Sequence, residues 1–401
     1  MRLRICTIVA ASLALAGCGG GTHLITTNVQ VTSQVQGKTP QASEKLGLPA
    51  LATKNTNRVD GADPVADAAG VALAVFPSVI QGTHPTAVTI ADTSDWQAAL
   101  AASVLMASPV KAPLLFADGD ALPSASADTL KQLAPTGSGV IGGAQVIRIG
   151  NVPKPSGLRS ASISGNDPYS LAAAIDRFNS AAHGSTSTAV VIAPGNNAEY
   201  AMPAAGWAAE SGDPILYVNG STIPSATKQA LLAHQKPKLY VLAPSSVIPD
   251  SVVKQLAKYG PVKRISAADP ISSAVTFAAY RDPPCQNLQP CAHVPGSFGW
   301  AMRSPGHGYT LINLHRPLDA AASAALSASG SFGPQLLVDN PSTLPNAVLN
   351  FFLNYATPGY TQEGPTAAVY NHGWVIGDQT AISVPVQAQI DNLLEPVPQK
   401  P

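Results

Sequence analysis

Arg58-Val59-Asp60-Gly61-Ala62-Asp63-Pro64 decides the reading of this chain, because the segment returns twice. It recurs as Ser162-Ile163-Ser164-Gly165-Asn166-Asp167-Pro168 and as Arg264-Ile265-Ser266-Ala267-Ala268-Asp269-Pro270. Each Asp-Pro leads into an Ala-rich apolar segment, such as Val65 to Phe76 or Tyr169 to Phe178. An Asp at the N-cap accepts backbone N–H groups, and a Pro at the first helical position has no N–H to lose, so the pair predicts a helix start. Asp63, Asp167 and Asp269 are therefore read as caps.

Further blocks follow in the same order in every copy. Strand-like runs at Ala87 to Ala91, Ala189 to Ala193 and Tyr309 to Asn313 pass through a polar turn into an Ala-rich helix. After it come Pro113-Leu114-Leu115-Phe116, Pro214-Ile215-Leu216-Tyr217 and Pro334-Gln335-Leu336-Leu337-Val338, short apolar runs of the buried parallel-strand type. Leu122-Pro123, Ile223-Pro224 and Leu344-Pro345 open another helix. A last strand is expected at Val140 to Gly143, Leu239 to Ala243 and Trp374 to Gly377. Strand, helix, strand, helix, strand is a βαβ series, and right-handed crossovers lay such strands parallel with helices on both faces. The period, about a hundred residues, is long enough for each copy to build its own small core. This gives modules over residues 54–156, 157–260 and 261–401, the third carrying a Pro-, Gly- and His-rich insertion at 283–308.

The chain has 401 residues, 45% of them apolar, enough to bury real cores in roughly two to four domains. Its 23 Lys+Arg against 23 Asp+Glu leave no basic footprint for nucleic acid and no acidic excess for polycations. Arg2 and Arg4 precede an apolar run from Ile5 to Leu15, too short for the roughly 20 residues of a permanent spanning helix. Residues 1–17 read as a signal peptide. Leu15-Ala16-Gly17-Cys18 resembles the lipobox of bacterial lipoproteins, in which the cysteine thiol takes a diacylglycerol; an ordinary secretory signal with an incidental cysteine is the alternative. No other stretch reaches spanning length, and residues 18–53, Gly- and Thr/Gln/Ser-rich, read as a flexible tether.

The three copies resemble the cell wall binding repeat 2 family, which occurs in tandem threes on surface proteins of Gram-positive bacteria. Its pattern is an Arg-x-x-Gly lead-in, a strand, Phe-x-Asp-Ala-Leu-Ala-Ala, Pro-x-Leu-Leu, a Leu-Pro helix start and Ile-Ile-Gly-Gly. The first copy carries Arg58, Gly61, Trp96 to Ala102, Pro113-Leu114-Leu115, Leu122-Pro123 and Ile141-Gly142-Gly143. The acid of the helix start is Ala98 in copy one, Glu199 in copy two and Asp319 in copy three. The glycine pair gives way to Ala243-Pro244 and Gly377-Asp378. The resemblance implies α/β, Rossmann-like or Toprim-like parallel-sheet modules about a pseudo-threefold axis, holding a protein non-covalently to anionic wall polymer. Without net positive charge such capture needs local cation clusters or helix N-termini. Lys228, Lys236, Lys238, Lys254, Lys258, Lys263 and Arg264 concentrate around copy two and its junction with copy three, although a solvated helix face explains them as well.

Cys285 and Cys291 lie in the insertion, and an exported pair closing a short loop most simply forms a disulfide. A zinc site with His293 and one of His307, His315 or His372 is the alternative, at a spacing foreign to standard sites. An enzyme would use Asp92, Asp95, Glu199 or Asp319, because strand-to-helix turns at the carboxyl edge of a parallel sheet are where α/β ligands bind. Those acids differ between copies, N-capping explains them equally well, and no serine elbow, phosphate loop or His-Glu-x-x-His is present. Gly137-x-Gly139-x-x-Gly142 fits a dinucleotide loop only superficially, because it precedes a strand instead of following one. The sequence thus predicts a lipid-anchored envelope protein with a non-catalytic wall-binding or scaffolding role, no cofactor and no nucleic-acid partner. Asp95, Glu199, Asp319, Lys263 and Arg264 are the candidate ligand residues. An envelope hydrolase or solute-binding lipoprotein with its site in module three is the rival reading.

Overall fold

In the computed structural model, which describes residues 49–283, 296–329, 332–360 and 369–398, each Asp-Pro pair opens a helix. The chain begins with β1 (Pro49–Ala52) and β2 (Thr56–Val59), followed by α1 (Pro64–Val75), β3 (Val88–Asp92), α2 (Trp96–Ala102), β4 (Leu114–Ala117), α3 (Ser124–Leu133) and β5 (Val146–Ile149). The second copy supplies β6 (Ser160–Ile163), α4 (Pro168–His183), β7 (Ala189–Pro194), α5 (Ala198–Ala201), α6 (Pro203–Ser211), β8 (Ile215–Val218), α7 (Ser225–Ala233), β9 (Lys238–Val241) and α8 (Asp250–Leu256). The third supplies β10 (Val262–Arg264), α9 (Pro270–Ala279), β11 (Gly308–Asn313), α10 (Pro317–Ser327), β12 (Phe332–Val338), α11 (Asn346–Phe351), β13 (Gly359–Tyr360), β14 (His372–Ile376), α12 (Val384–Leu394) and β15 (Val397–Pro398). Asp63 accepts from the Ala66 N–H at 2.9 Å, Asp167 from Tyr169 and Ser170, and Asp269 from Ser272 at 2.8 Å. A cap of this kind is worth about 1 kcal/mol.

The strands form three parallel sheets with one topology, in the orders β4-β3-β5-β6, β8-β7-β9-β10 and β12-β11-β14-β2. β1 adds an antiparallel edge to the third sheet, and β13 pairs with β15. The outer strand of each sheet comes from the next copy's lead-in, and the first copy's β2 completes the third sheet. The recurring segment that fixes the repeat in sequence therefore pairs with the preceding sheet.

One strand lies elsewhere than the sequence predicts. Val140 to Gly143 contains a 3-10 turn, Gly139–Ile141, and Gly142 and Gly143 have φ of +67° and +77°, which no strand adopts. The strand is the following Val-Ile-Arg-Ile run, whose Val146, Ile147 and Ile149 are buried.

Helices α2, α6 and α10, which lie in the connections that follow β3, β7 and β11, pack against one another at the centre. Their Ala-rich sequences bring the backbones close. A Cβ on Gly206 would stand 2.8 Å from Ser327 Oγ, and its N–H donates to the buried Gln335 side chain, whose amide donates to the Ala320 carbonyl at 2.7 Å. The insertion's far end enters this core: Phe298 stacks on Tyr240 with centroids 3.7 Å apart, and Trp207 meets both Phe298 and Trp300.

Candidate functional site

The turns after β3, β7 and β11 hold the candidate acids Asp95, Glu199 and Asp319, each in a different sheet's strand-to-helix connection. Asp95 caps α2, accepting from Ala98 N–H at 2.9 Å, and burial raises its pKa. Glu199 is half-buried in the first turn of α5. Asp319 is fully buried in α10, with Arg316 Nε 2.6 Å from its Oδ2. Arg316 also reaches Asp67 of α1 at 2.7 Å, and Asp67, likewise buried, accepts from the Gly61 N–H. Two buried carboxylates thus share one guanidinium. Burial pushes Asp319 up to about 7 against the pull of Arg316. Burial and the Asp319 charge raise Asp67 well above the usual carboxylate range.

This cluster belongs to a junction, and the other two turns make junctions as well. Tyr200 donates from its hydroxyl to the Ala268 carbonyl at 2.9 Å, joining the turn after β7 to the third lead-in. Gln97 donates to the Gly195 carbonyl at 3.0 Å, and Tyr217 returns a bond to the Gln97 carbonyl, joining modules one and two. The helices repeat the pattern: α2 packs on α4, α5 on α9 and α10 on α1. The carboxyl edges of the sheets, where an α/β enzyme would hold substrate, are therefore occupied by neighbouring copies.

The cations behave differently. Arg264 donates to the Ala243 carbonyl, to the Ile248 carbonyl at 2.8 Å and to Asp250, and so clamps the turn after β9. Arg58, 1% exposed, does the same after β14, donating at 2.6 Å to the Gly377 and Ile382 carbonyls and at 2.9 Å to Gln387. In sheet one, Ser162 stands at that position and Arg148 of the neighbouring strand bonds the Val152 carbonyl instead. Lys263 stands exposed on the outer strand β10. With Lys238, Tyr240, Tyr280 and Asp282 it lines a groove of about 340 Å³. Asp282 accepts from the Tyr240 and Tyr280 hydroxyls at 2.7 and 2.8 Å, and Lys238 lies 3.4 Å from it. Burial, together with the Asp282 carboxylate, raises both phenols far beyond their ordinary range, so they remain donors. Lys228, Lys236, Lys254 and Lys258 are exposed on module two.

Asp67 went unnoticed in the sequence, although a single acid inside the apolar run Val65 to Phe76 is the kind of signal that marks a buried partner. Nothing local pairs Asp282 with Tyr240 or links Arg316 to a residue some 250 positions earlier. Cys18, Cys285, Cys291 and His293 lie outside the described residues. Among the described residues, no three His, Cys, Asp or Glu side chains converge as a metal-ligand set, and no helix is long and apolar enough to cross a membrane.

Two solved structures share the architecture. Cwp6 from Clostridium difficile superposes with a TM-score of 0.66 at 16% identity, over 85% of this chain and 48% of its own. Cwp8 from the same organism gives 0.61 at 16% identity, over 85% and 52%. The chain thus spans about half the length of either protein. No curated protein matches it in sequence. Residues 162–253, from the lead-in strand of copy two to its last helix, match the family Cell wall binding domain 2 (CWB2). The unit whose recurrence organises the sequence is thus similar, in its second copy, to Cell wall binding domain 2.

Proposed function

We propose that this chain binds cell-wall glycopolymer without catalysing a reaction, anchored to the outer face of the membrane through a lipid on Cys18. The observation that carries the reading is the lysine-flanked groove where the module that matches CWB2 meets module three. Lys238 and Lys263 flank it, and polyanion capture needs such local cations in a chain of zero net charge. Three modules joined in cyclic order by their turns and shared strands support a pseudo-threefold body with one role. The Cys285–Cys291 disulfide belongs to the same proposal and suits an exported protein. Asp95, Glu199 and Asp319 act as cap, helix-start acid and junction partner.

Pull-down on purified walls tests the reading. The chain should sediment with walls that retain their anionic polymer and stay in solution with stripped walls. The double substitution Lys238→Glu, Lys263→Glu should weaken binding at least about tenfold and flatten its dependence on salt. Equal sedimentation with both wall preparations would overturn the polymer assignment. Turnover of any wall substrate that disappears on His315→Ala would establish the hydrolase reading instead.

A further inference from the structure

A second cavity opens beside that groove, at the amino-terminal end of β7, where the end of α4, the α6–β8 turn and Gly296–Ser297 of copy three meet. Its volume is about 240 Å³. Its lining is mostly polar: the hydroxyls of Ser187, Thr188, Ser211 and Ser297 and the amide of Asn179 stand beside the imidazole of His183, with the Asp213 carboxyl also in the wall. Asn179 is 4% exposed, and its Oδ1, like Ser297 Oγ, has no hydrogen-bond partner among the described residues. A buried amide oxygen left in this state is destabilising, and a bound hydroxyl group relieves it.

The walls are rigid. Asp213 accepts from Ser187 Oγ at 2.5 Å and from the buried Trp207 indole at 2.8 Å, and its backbone N–H donates to Ser211 Oγ. Behind it, His234 bridges the Asp176 carboxylate, 2.9 Å away, and the Ser187 carbonyl, 2.8 Å away. No lysine or arginine lines the cavity, and His183 is the one basic side chain in its lining, so an anion finds no cluster of cations there. The one acid in the lining has both carboxyl oxygens engaged, by Ser187 and Trp207, and no second carboxylate joins it to hold a cation. What remains is a dense set of groups that both donate and accept, the complement of an uncharged polyhydroxyl ring.

We propose that this cavity is a subsite for a single uncharged sugar residue. Lys238 stands between the two spaces: its backbone N–H bonds the Thr188 carbonyl on the cavity side, and its ammonium bonds the Gly296 carbonyl while lining the neighbouring groove. One polymer can therefore seat a neutral ring in the cavity and present its charge to Lys238 and Lys263. The identity of the polymer rests on the wall-binding reading; the cavity's preference for a neutral ring does not.

The full chain, isotope-labelled, is titrated separately with glucose, N-acetylglucosamine and inorganic phosphate. At least one sugar should shift the Asn179 side-chain amide and the Thr188 and Gly212 backbone amides saturably, while phosphate leaves them in place. Asn179→Leu should weaken the sugar about tenfold. Ser297→Trp, made at the half-exposed mouth and shown to be folded by unchanged amide shifts away from the cavity, should abolish the response. Absence of saturable shifts at these amides, a response to phosphate in place of sugar, or unaltered affinity in a folded Ser297→Trp protein would each overturn the subsite. Wall sedimentation separates the two proposals. Walls bound without sugar shifts would sink the subsite alone, and sugar shifts without wall binding would sink the polymer reading alone.

Discussion

Asp319 shows how a motif position serves architecture. Its pKa of about 7 in the folded chain stands above the ordinary carboxylate value, because burial outweighs the single guanidinium it shares with Asp67. A carboxyl raised on folding contributes stability that is complete below the unfolded pKa of about 4 and is lost as pH climbs through the folded value. Stability from this site therefore declines between about pH 4 and pH 7. Asp319→Asn removes the ionisation and leaves Arg316 paired with Asp67 alone. The variant should gain on the parent by on the order of 3 kcal/mol as pH rises across that window, as read by urea unfolding at either end. A difference between the two proteins that does not vary with pH would mean that Asp319 ionises alike in both states. The same geometry weakens the hydrolase reading at this residue, since its carboxylate faces Arg316 inside a junction rather than a cleft.

At the scale of elements, the lead-in strands are held by arginines, and Arg58 is the clearest case. Its three nitrogens reach buried carbonyls of the β14–α12 turn and the Gln387 side chain, which in turn donates to Thr56. A lysine carries one point charge and cannot span these acceptors, so Arg58→Lys should destabilise the chain by about 2–4 kcal/mol, measured as a shift of the denaturation midpoint. A change under about 0.5 kcal/mol would remove the clamp from the account. The sequence made the inner strands plain, because buried parallel strands are unbroken apolar runs: Ala87 to Ala91 is realised as Val88–Asp92, and Tyr309 to Asn313 as Gly308–Asn313. The lead-in strands were opaque. Ser160-Ala161-Ser162-Ile163 has neither length nor pattern, and only pairing with β5 makes it a strand. Val140 to Gly143 misled because its apolar pair precedes two glycines that bend the chain, with Val140 left exposed. The Pro-, Gly- and His-rich insertion delivers Phe298 and Trp300 to the centre, where aromatic burial outweighs the Gly and Pro that surround them. Of the candidate site, Lys263 was legible as part of a charge cluster. The groove was not, because Tyr240, Tyr280 and Asp282 converge only through tertiary contact.

The whole molecule inherits a consequence from its strand exchange. Sheet one lacks an outer strand without copy two, sheet two without copy three, and sheet three without β2 at the start of the described chain. Modules built this way differ from beads on linkers, whose cores form independently and whose interfaces are small. Here each core is completed by its neighbour, and α2, α6 and α10 share a central seam in which Gln335 joins α6 to α10. Unfolding one module strips a strand from the sheet before it and a packed helix from the seam, so a partly unfolded chain also loses contacts in the modules that remain. The described body should therefore melt in a single calorimetric transition, with van't Hoff and calorimetric enthalpies in agreement despite its three sheets. Deleting residues 1–60 removes β1, β2 and Arg58 together, leaving β14 with an open edge and the Gly377 and Ile382 carbonyls unpaired. If closure carries the stability, that deletion lowers the one transition for all three modules. If the modules are independent, the scan resolves separate transitions and only the one belonging to sheet three moves.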